Sequence, residues 1–427
     1  MEGRATMNIY DKIRLMRDKS GITVNDLANT LNYSTGLISL IEQGKRSVKP
    51  EMLILIRKSM KYEEVPLTEE EVINFRLMLY DFYESIKNLH LGEAREKSDA
   101  IRPLVEKCFE EEFKVLYYLF DSYLLIREQK HEKAKNQLET LTDKIETFTD
   151  EQKYFYFYFY AGSIYKDYAQ TIQYLLKAKD IAQKINKQEA SLYYSLSNIY
   201  SRIDYSPKAI IYGEIALKLA QNSVDKAYLL NIEATLAFEY SKVGFPNLAL
   251  ERLYGCLARE KTLGNPRRLG NIHHNLGCIF LRMKDYANAE AYFNKSLKYC
   301  EIGDWAYLNN KLYIAYMLID KGERNNALAF IEELLPLAQN TSDILLFLES
   351  AKHSLDLKNV ESLDYLENTS IPQLLKMGQH LKAIKYMSIL SVFHEKRSRT
   401  KQAIKKSHEY LKLIALYRNK ILKGEID

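Results

Sequence analysis

Polar side chains that could do chemistry are concentrated at residues 270–280, GNIHHNLGCIF. Neighbouring residues on a helix point about 100° apart, so His273 and His274 are a poor pair of metal ligands, and no carboxylate lies one turn away. Cys278 follows His274 by four residues, the spacing of a nucleophile and its base, but nothing nearby would orient the histidine. We therefore expect neither a metal or other cofactor nor a catalytic residue here.

This stretch belongs to a repeat of helix, short polar turn and helix. Residues 275–299 match residues 235–259 in this pattern, and a small residue recurs early in each second helix. Intervals of 35 to 41 residues connect nine short or small residues: Ala94, Ala134, Thr171, Ala209, Ala249, Ala289, Ala327, Ser362 and Ala403. Small residues are needed where two helices approach closely, so the sequence predicts an all-α chain with about nine helix pairs.

The repeat resembles the tetratricopeptide repeat, which has a pattern of leucine, glycine, aromatic, alanine and phenylalanine positions. The matching residues are Leu276, Gly277, Phe280, Ala289 and Phe293. The resemblance implies a right-handed α-solenoid. It also implies a concave channel that is lined by the first helix of each pair.

One position that this resemblance places in the channel holds asparagine in three consecutive pairs. Asn271 lies six residues before Gly277, and the same count gives Asn231 one repeat earlier and Asn309 one repeat later. A carboxamide both donates and accepts hydrogen bonds, so a row of them would hold the backbone of an extended peptide. The alternative is that these asparagines coincide by chance on a solvated surface.

Further side chains are expected to face the same channel. Arg202 or Arg268 would pair with a peptide carboxylate, and Phe238, Tyr313 and Tyr316 would line pockets for peptide side chains. The complete predicted set is Asn198, Arg202, Asn231, Phe238, Arg268, Asn271, His274, Asn275, Asn309, Tyr313 and Tyr316.

The N-terminal part of the chain predicts four short helices. The spacing of apolar residues predicts the first over residues 8–19. Thr23 and Asp26 form a capping box for the second helix, Ser34 caps the third, and Pro50 lies in the first turn of the fourth. Two short helices joined by a tight turn, between two more helices, form a helix-turn-helix arrangement.

A domain boundary is expected near residue 65. Pro66 disfavours helix in the residue before it, and Thr68 and Glu71 then form a capping box for a new helix. We predict one domain over residues 7–65 and a second over residues 66–427. The initial MEGRAT fits no helical pattern and is left out of these predictions.

The residues GITVNDLANTLNYSTGLISLIEQGKR (21–46) closely resemble the Cro/xenobiotic-response-element family of DNA-binding domains. The resemblance implies that the third helix enters the major groove of double-stranded DNA. The predicted base-facing residues are Thr35, Gly36, Ser39 and Leu40, and the predicted phosphate contacts are Ser34, Lys45 and Arg46. Val24 departs from the family, which usually has glutamine there. The small, apolar reading face predicts modest direct readout and A·T-leaning sites. The alternative is that these positions are merely solvated.

The composition narrows the class of protein. The 427 residues contain only 8 Pro and 16 Gly, which favours an all-α fold. The four cysteines form no CxxC pair, and we see no signal peptide, so we expect a reducing cytoplasm. No apolar run reaches the ~18 residues that a membrane span needs. The net charge of +5 alone says little.

A Cro-like head on a tetratricopeptide solenoid resembles the peptide-pheromone receptors of Gram-positive bacteria, the RRNPP group, and most of all its NprR-like members. The resemblance implies a cytoplasmic quorum-sensing transcriptional regulator. A short imported signalling peptide would fill the channel and change the oligomeric state, homodimer or homotetramer, and the DNA binding. A second hypothesis is a peptide-controlled module that sequesters a sporulation response regulator. We expect no enzyme.

Overall fold

The computed structural model describes residues 8–59, 67–165, 167–221, 226–397 and 401–423. Within these ranges the chain is helical and contains no strand, so the prediction of an all-α fold is confirmed. The MEGRAT segment and Pro66 lie outside the described residues. No helix in the described ranges is long and apolar enough to cross a membrane.

Four helices form the region that we call the head: α1 (Ile9–Lys19), α2 (Val24–Leu31), α3 (Thr35–Glu42) and α4 (Pro50–Ser59). Their boundaries follow from local signals. Thr23 and Asp26 form the predicted capping box of α2, and the Ser34 hydroxyl accepts the Leu37 N–H at 3.2 Å. Asn32 ends α2 in the left-handed conformation, with φ of 56°.

The core of the head is apolar, but one ion pair lies at its edge. Ile13, Met16 and Ile38 are each 1 % exposed. The Arg17 guanidinium donates two hydrogen bonds to the Glu42 carboxylate, at 2.6 and 3.1 Å, and so ties α1 to α3. This pair is bidentate. It is also largely shielded from solvent, since the Arg17 and Glu42 side chains are 11 % and 7 % exposed.

Packing separates the chain into two compact units that divide at Ile164 and Tyr165. The first unit contains the head and five further helices: α5 (Glu69–Lys87), α6 (Leu91–Glu106), α7 (Glu111–Arg127), α8 (His131–Glu139) and α9 (Asp150–Ser163). The domain boundary near residue 65 stays a prediction.

The second unit begins with α10 (Tyr168–Lys184). Three helix pairs follow: α11 (Ala190–Arg202) with α12 (Ser206–Ala220), α13 (Lys226–Lys242) with α14 (Pro246–Leu263), and α15 (Pro266–Arg282) with α16 (Tyr286–Leu297). α17 (Trp305–Asp320) is the first helix of a fourth pair. It continues with α18 (Arg324–Leu334), α19 (Ser342–Leu355), α20 (Val360–Asp364), α21 (Ile371–Lys376), α22 (His380–Arg397) and α23 (Lys401–Lys423). A π-helical segment, Tyr365–Ser370, connects α20 to α21.

The predicted small residues lie at the contacts within the helix pairs. Ala209, Ala249 and Ala289 are fully buried, each in the second helix of its pair. Gly277 shows why size matters, because a Cβ atom there would lie 2.6 Å from the Phe293 ring. The tetratricopeptide pattern in the sequence therefore reports a real close approach of α15 and α16. The side chain at position 403 lies outside the described residues.

Candidate functional site

A cavity of about 490 Å³ lies in the second unit, lined by the first helices of four successive pairs. α11, α13, α15 and α17 each contribute side chains. Gln379 and Lys382, near the start of α22, complete the wall, and the Gln379 carboxamide donates to the Arg202 carbonyl. Residues far apart in sequence therefore meet at this cavity.

Ten of the eleven residues predicted to contact a peptide line the cavity: Asn198, Arg202, Asn231, Phe238, Arg268, Asn271, His274, Asn275, Asn309 and Tyr313. The exception is Tyr316. Its ring packs against Tyr313, with centroids 5.9 Å apart, and lies beneath the Lys385 ammonium. Tyr316 therefore supports the wall and does not touch the open space.

The asparagines of the predicted row do face one space. The carboxamides of Asn198, Asn231 and Asn271 line the cavity and make no hydrogen bond to any residue that the structure describes. Asn309 is different, because its Nδ2 donates to His274 Nε2 at 3.1 Å. The Asn275 amide reaches the Ala234 carbonyl at 3.5 Å. Three carboxamides thus remain available for a ligand.

His274 is held by a residue that the sequence did not suggest. Its Nδ1 lies 3.0 Å from Asn310 Oδ1, and Asn310 Nδ2 donates to the Ala306 carbonyl at 2.9 Å. This pattern assigns the proton to Nδ1 and leaves Nε2 to accept from Asn309. Burial lowers the pKa of His274 to about 4. The expectation that nothing orients this histidine is wrong.

Cys278 completes a cysteine, histidine and asparagine arrangement, with its Sγ 3.4 Å from His274 Nε2. Burial raises the pKa of the Cys278 thiol to about 12 and lowers that of His274. A cysteine nucleophile needs the opposite shifts, which favour a thiolate beside an imidazolium. We conclude that these groups form a neutral structural network. No group of three or more His, Cys, Asp or Glu that could hold a metal occurs in the described part of the chain.

Arg268 is not available for a peptide carboxylate. Its Nε donates to Glu260 Oε2 at 2.6 Å, and its Nη2 donates to Glu260 Oε1 at 3.3 Å. Glu260 is fully buried, so this pair holds α14 against α15 and neutralises Arg268 within the protein. The prediction that Arg268 pairs with a ligand is therefore corrected, while Arg202 stays unpaired among the described residues.

Several charged residues at the cavity were missed in the sequence. Lys242 and Arg282 follow Asn231 and Asn271 by eleven residues each, so counting forward along each first helix would have found both. Lys382 comes from α22, and no pattern in the sequence connects it to the row of asparagines.

The residues predicted to contact DNA lie on α3 and in the turn after it. Thr35 and Gly36 are exposed in the first turn of α3, and the Leu40 side chain is 41 % exposed. Lys45 and Arg46 are exposed after the helix. Ser34 caps α3, and Ser39 is half-buried and accepts from the Gln43 amide at 3.0 Å. An exposed, uncharged helix start followed by two cations fits DNA binding.

Comparison with known proteins agrees with this architecture. The tetratricopeptide repeat family matches residues 270–302. The transcriptional activator NprA of Geobacillus stearothermophilus is 24% identical over 402 residues, which cover 89% of this chain and 97% of NprA. The response regulator aspartate phosphatase A of Bacillus subtilis (strain 168) is 24% identical over 316 residues, which cover 67% and 80% of the two chains.

A solved structure is also similar. The structure of NprR in complex with its cognate peptide NprX has a TM-score of 0.71 and 19% identity, and the match covers 81% of this chain and 98% of that one. This likeness shows a shared fold. The similarity to NprA, the matching repeat and the shared fold support the resemblance to the RRNPP-type regulators, a group of tetratricopeptide-repeat proteins.

Proposed function

We propose that this chain is a cytoplasmic quorum-sensing transcriptional regulator. It binds a short imported signalling peptide in the cavity and responds by changing its oligomeric state and its binding to double-stranded DNA. The observation that carries the proposal is the set of free carboxamides of Asn198, Asn231 and Asn271, which share one cavity. An extended peptide presents N–H and C=O groups that match such carboxamides whatever its side chains are.

The relatives support the same ligand class. The comparable NprR structure contains its cognate peptide, and NprA is a transcriptional activator. The head contributes the DNA-binding part of the proposal, through the exposed start of α3 and the cations Lys45 and Arg46.

Coupling between the two activities follows from linkage. A peptide shifts the protein from one assembly to another only if it binds the two with different affinities. A change of assembly from homodimer to homotetramer, or the reverse, would alter the spacing of paired heads on a palindromic site.

The peptide part is tested with the full-length chain and synthetic heptapeptide pools, by affinity selection followed by mass spectrometry. We expect Asn231→Ala and Asn271→Ala each to abolish peptide retention while circular dichroism and melting temperature stay unchanged. Asn326→Ala is the matched control, because Asn326 is exposed on α18 and does not line the cavity. Retention that is equal in all three variants would refute the carboxamide row.

The DNA part is tested by titrating salt against the affinity of the full-length chain for A·T-rich duplexes. Cations that contact phosphates release counterions, so the logarithm of affinity should fall linearly with the logarithm of salt concentration. Lys45→Ala and Arg46→Ala should each make this slope less steep by about one unit. A slope near zero in the unmodified chain would remove the DNA-binding function.

A second function is favoured by the similarity to the response regulator aspartate phosphatase A. The chain would then sequester a sporulation response regulator, and a peptide would release it. The test is a pull-down of a purified sporulation response regulator with the full-length K45E/R46E variant, which should not bind DNA. Capture that persists in this variant and is lost with peptide supports the second function, and the absence of capture refutes it.

A further inference from the structure

We propose that Arg282, Lys242 and Lys382 form a subsite of the cavity that binds a carboxylate of the peptide. The three side chains come from the ends of α15 and α13 and from the first turn of α22, and all of them line the cavity. The inference rests on the proposed function, because it assigns the chemistry of one part of that ligand.

The two first-helix cations are organised around one ring. The Arg282 guanidinium carbon lies 4.7 Å from the centroid of Phe238, and the Lys242 ammonium lies 4.9 Å from the same centroid. Arg282 Nη1 also donates to the Ser241 hydroxyl at 2.9 Å. A guanidinium has five N–H donors, so most donors of Arg282 stay available while the group is held in place.

The cations of the cavity are only partly balanced by acids. Five cationic side chains line it, at Arg202, Lys242, Arg268, Arg282 and Lys382, against two acidic ones, at Asp204 and Asp343. The buried Glu260 neutralises Arg268, as described above.

Lys242 forms ion pairs with two neighbouring acids. Its ammonium lies 3.2 Å from Asp204 and 2.9 Å from Glu239. Asp343 accepts from the Trp305 indole N–H at 3.1 Å. Among the residues that the structure describes, no carboxylate lies within 4 Å of Arg282 or Lys382. These two cations, like Arg202, therefore have no acidic partner among the described residues.

The position of Lys382 makes the lack of a counterion unfavourable for the empty protein. Its ammonium is recessed over the Phe347 ring, at 4.6 Å from the centroid, and bonds to the Gln379 carboxamide. Burial lowers the pKa of Lys382. Asp204 and Asp343 oppose this shift, whereas Lys242 and Arg282 add to it. A bound anion would be favourable here, since it would place a negative charge among positively charged side chains.

A carboxylate is the anion that fits the rest of the wall. The free asparagine carboxamides select a peptide backbone, and a peptide carries negative charge as an aspartate or glutamate side chain or as its C-terminal carboxylate. Both sources offer the same planar group, which a guanidinium binds through two parallel hydrogen bonds. The experiment below separates them.

The test uses the full-length chain and heptapeptide pools in which each position in turn is fixed as aspartate or as asparagine. Each pool is made with a free-acid or an amidated C-terminus. We expect enrichment of aspartate at one position, or of the free acid over the amide. For a peptide chosen from the enriched pool, replacing that carboxylate by an amide should weaken binding about tenfold or more. This comparison needs no protein variant, so it does not depend on whether a variant folds.

Protein variants then assign the subsite. Arg282→Gln should weaken binding of the carboxylate peptide about tenfold and should leave binding of its amide analogue unchanged, as expected for a coupled pair. Arg282→Glu should move the preference at that peptide position to lysine or arginine. Arg267→Gln is the matched control, because Arg267 is an exposed arginine on the same helix that does not line the cavity.

The outcomes distinguish this subsite from the proposed function. Peptides that are retained without any preference for a carboxylate would overturn the subsite and leave peptide binding standing. A carboxylate preference that persists in Arg282→Gln and in Lys382→Met would also overturn it. If no pool is retained by the unmodified chain, the proposed function and the subsite both fail.

Discussion

Arg17 in the head and Arg282 at the cavity both lie in the last turn of a helix, but of the two only Arg17 has an acidic partner among the residues that the structure describes. Arg17 makes a bidentate pair with Glu42, and both side chains are nearly buried. Arg282 is exposed to the cavity, and within the described part of the chain its side chain donates to a neutral hydroxyl, that of Ser241. The cation of the head therefore holds two helices together, whereas the cation of the cavity is positioned to bind a ligand from solution.

The largest change in the free energy of unfolding is expected when Arg17 of the head loses its buried partner Glu42. Glu42→Ala leaves the nearly buried Arg17 charge with the exposed Asp18 carboxylate as its remaining partner among the described residues, so we expect the free energy of unfolding to fall by about 3 kcal/mol. Chemical denaturation followed by circular dichroism measures this. Asp18→Ala is the control, because Asp18 also contacts Arg17, at 2.8 Å, but its side chain is 53% exposed. The control should lose less than about 0.5 kcal/mol. Equal losses in the two variants would mean that the Glu42 pair contributes no more to stability than the exposed Asp18 pair.

A change in stability of intermediate size is expected from the pH dependence of His274 at the cavity. The pKa of His274 is about 4 in the folded chain and about 6.5 when unfolded, so the unfolded state binds the proton more tightly. Its contribution to stability is complete above about pH 6.5 and is lost as the pH falls towards 4, by up to ~1.4 kcal/mol per pH unit.

Denaturation at a series of pH values checks this contribution. His274→Gln should remove the corresponding part of the pH dependence. If this variant keeps the slope of the unmodified chain, His274 is not held neutral by its burial.

The smallest expected effect on stability belongs to the unmatched cation. Arg282→Gln removes a charge that has no acidic partner among the described residues, so the free energy of unfolding should stay within about 0.5 kcal/mol. Arg268→Gln on the same helix should instead cost about 3 kcal/mol, because it leaves the fully buried Glu260 unpaired. A large loss for Arg282→Gln would show that Arg282 is structural, and the contrast with Arg17 would disappear.

Local signals in the sequence predicted the head almost completely. The Thr23 and Asp26 capping box, the Ser34 cap and the turn at Asn32 each act within a few residues, so they can be recognised without knowing the fold. Each pairs a side chain with backbone groups of its own helix start. Glu42 is the exception, since its partner Arg17 lies 25 residues away and no local rule connects them.

The cavity was predicted in part, because repeats place equivalent residues at equivalent positions. Counting from Gly277 located Asn231, Asn271 and Asn309 on one wall, since stacked helix pairs repeat their geometry. The prediction that Arg268 pairs with a peptide carboxylate failed, because a repeat pattern indicates which way a side chain points and does not show that Glu260 is paired with it. The repeat pattern also gave no indication of Asn310, whose side-chain amide on α17 orients His274 on α15.

The all-α class, the helix starts of the head and the row of asparagines follow from the amino-acid sequence, because capping and repetition act at short or regular spacing. Which charges are satisfied depends on how the helices pack. Glu260 accepts hydrogen bonds from Arg268, Asn310 contacts His274, and Lys382 is contributed to the cavity by α22, late in the sequence of the second unit. Ion pairing depends on distances of a few ångströms between side chains from different helices, and those distances exist only after the helices have packed.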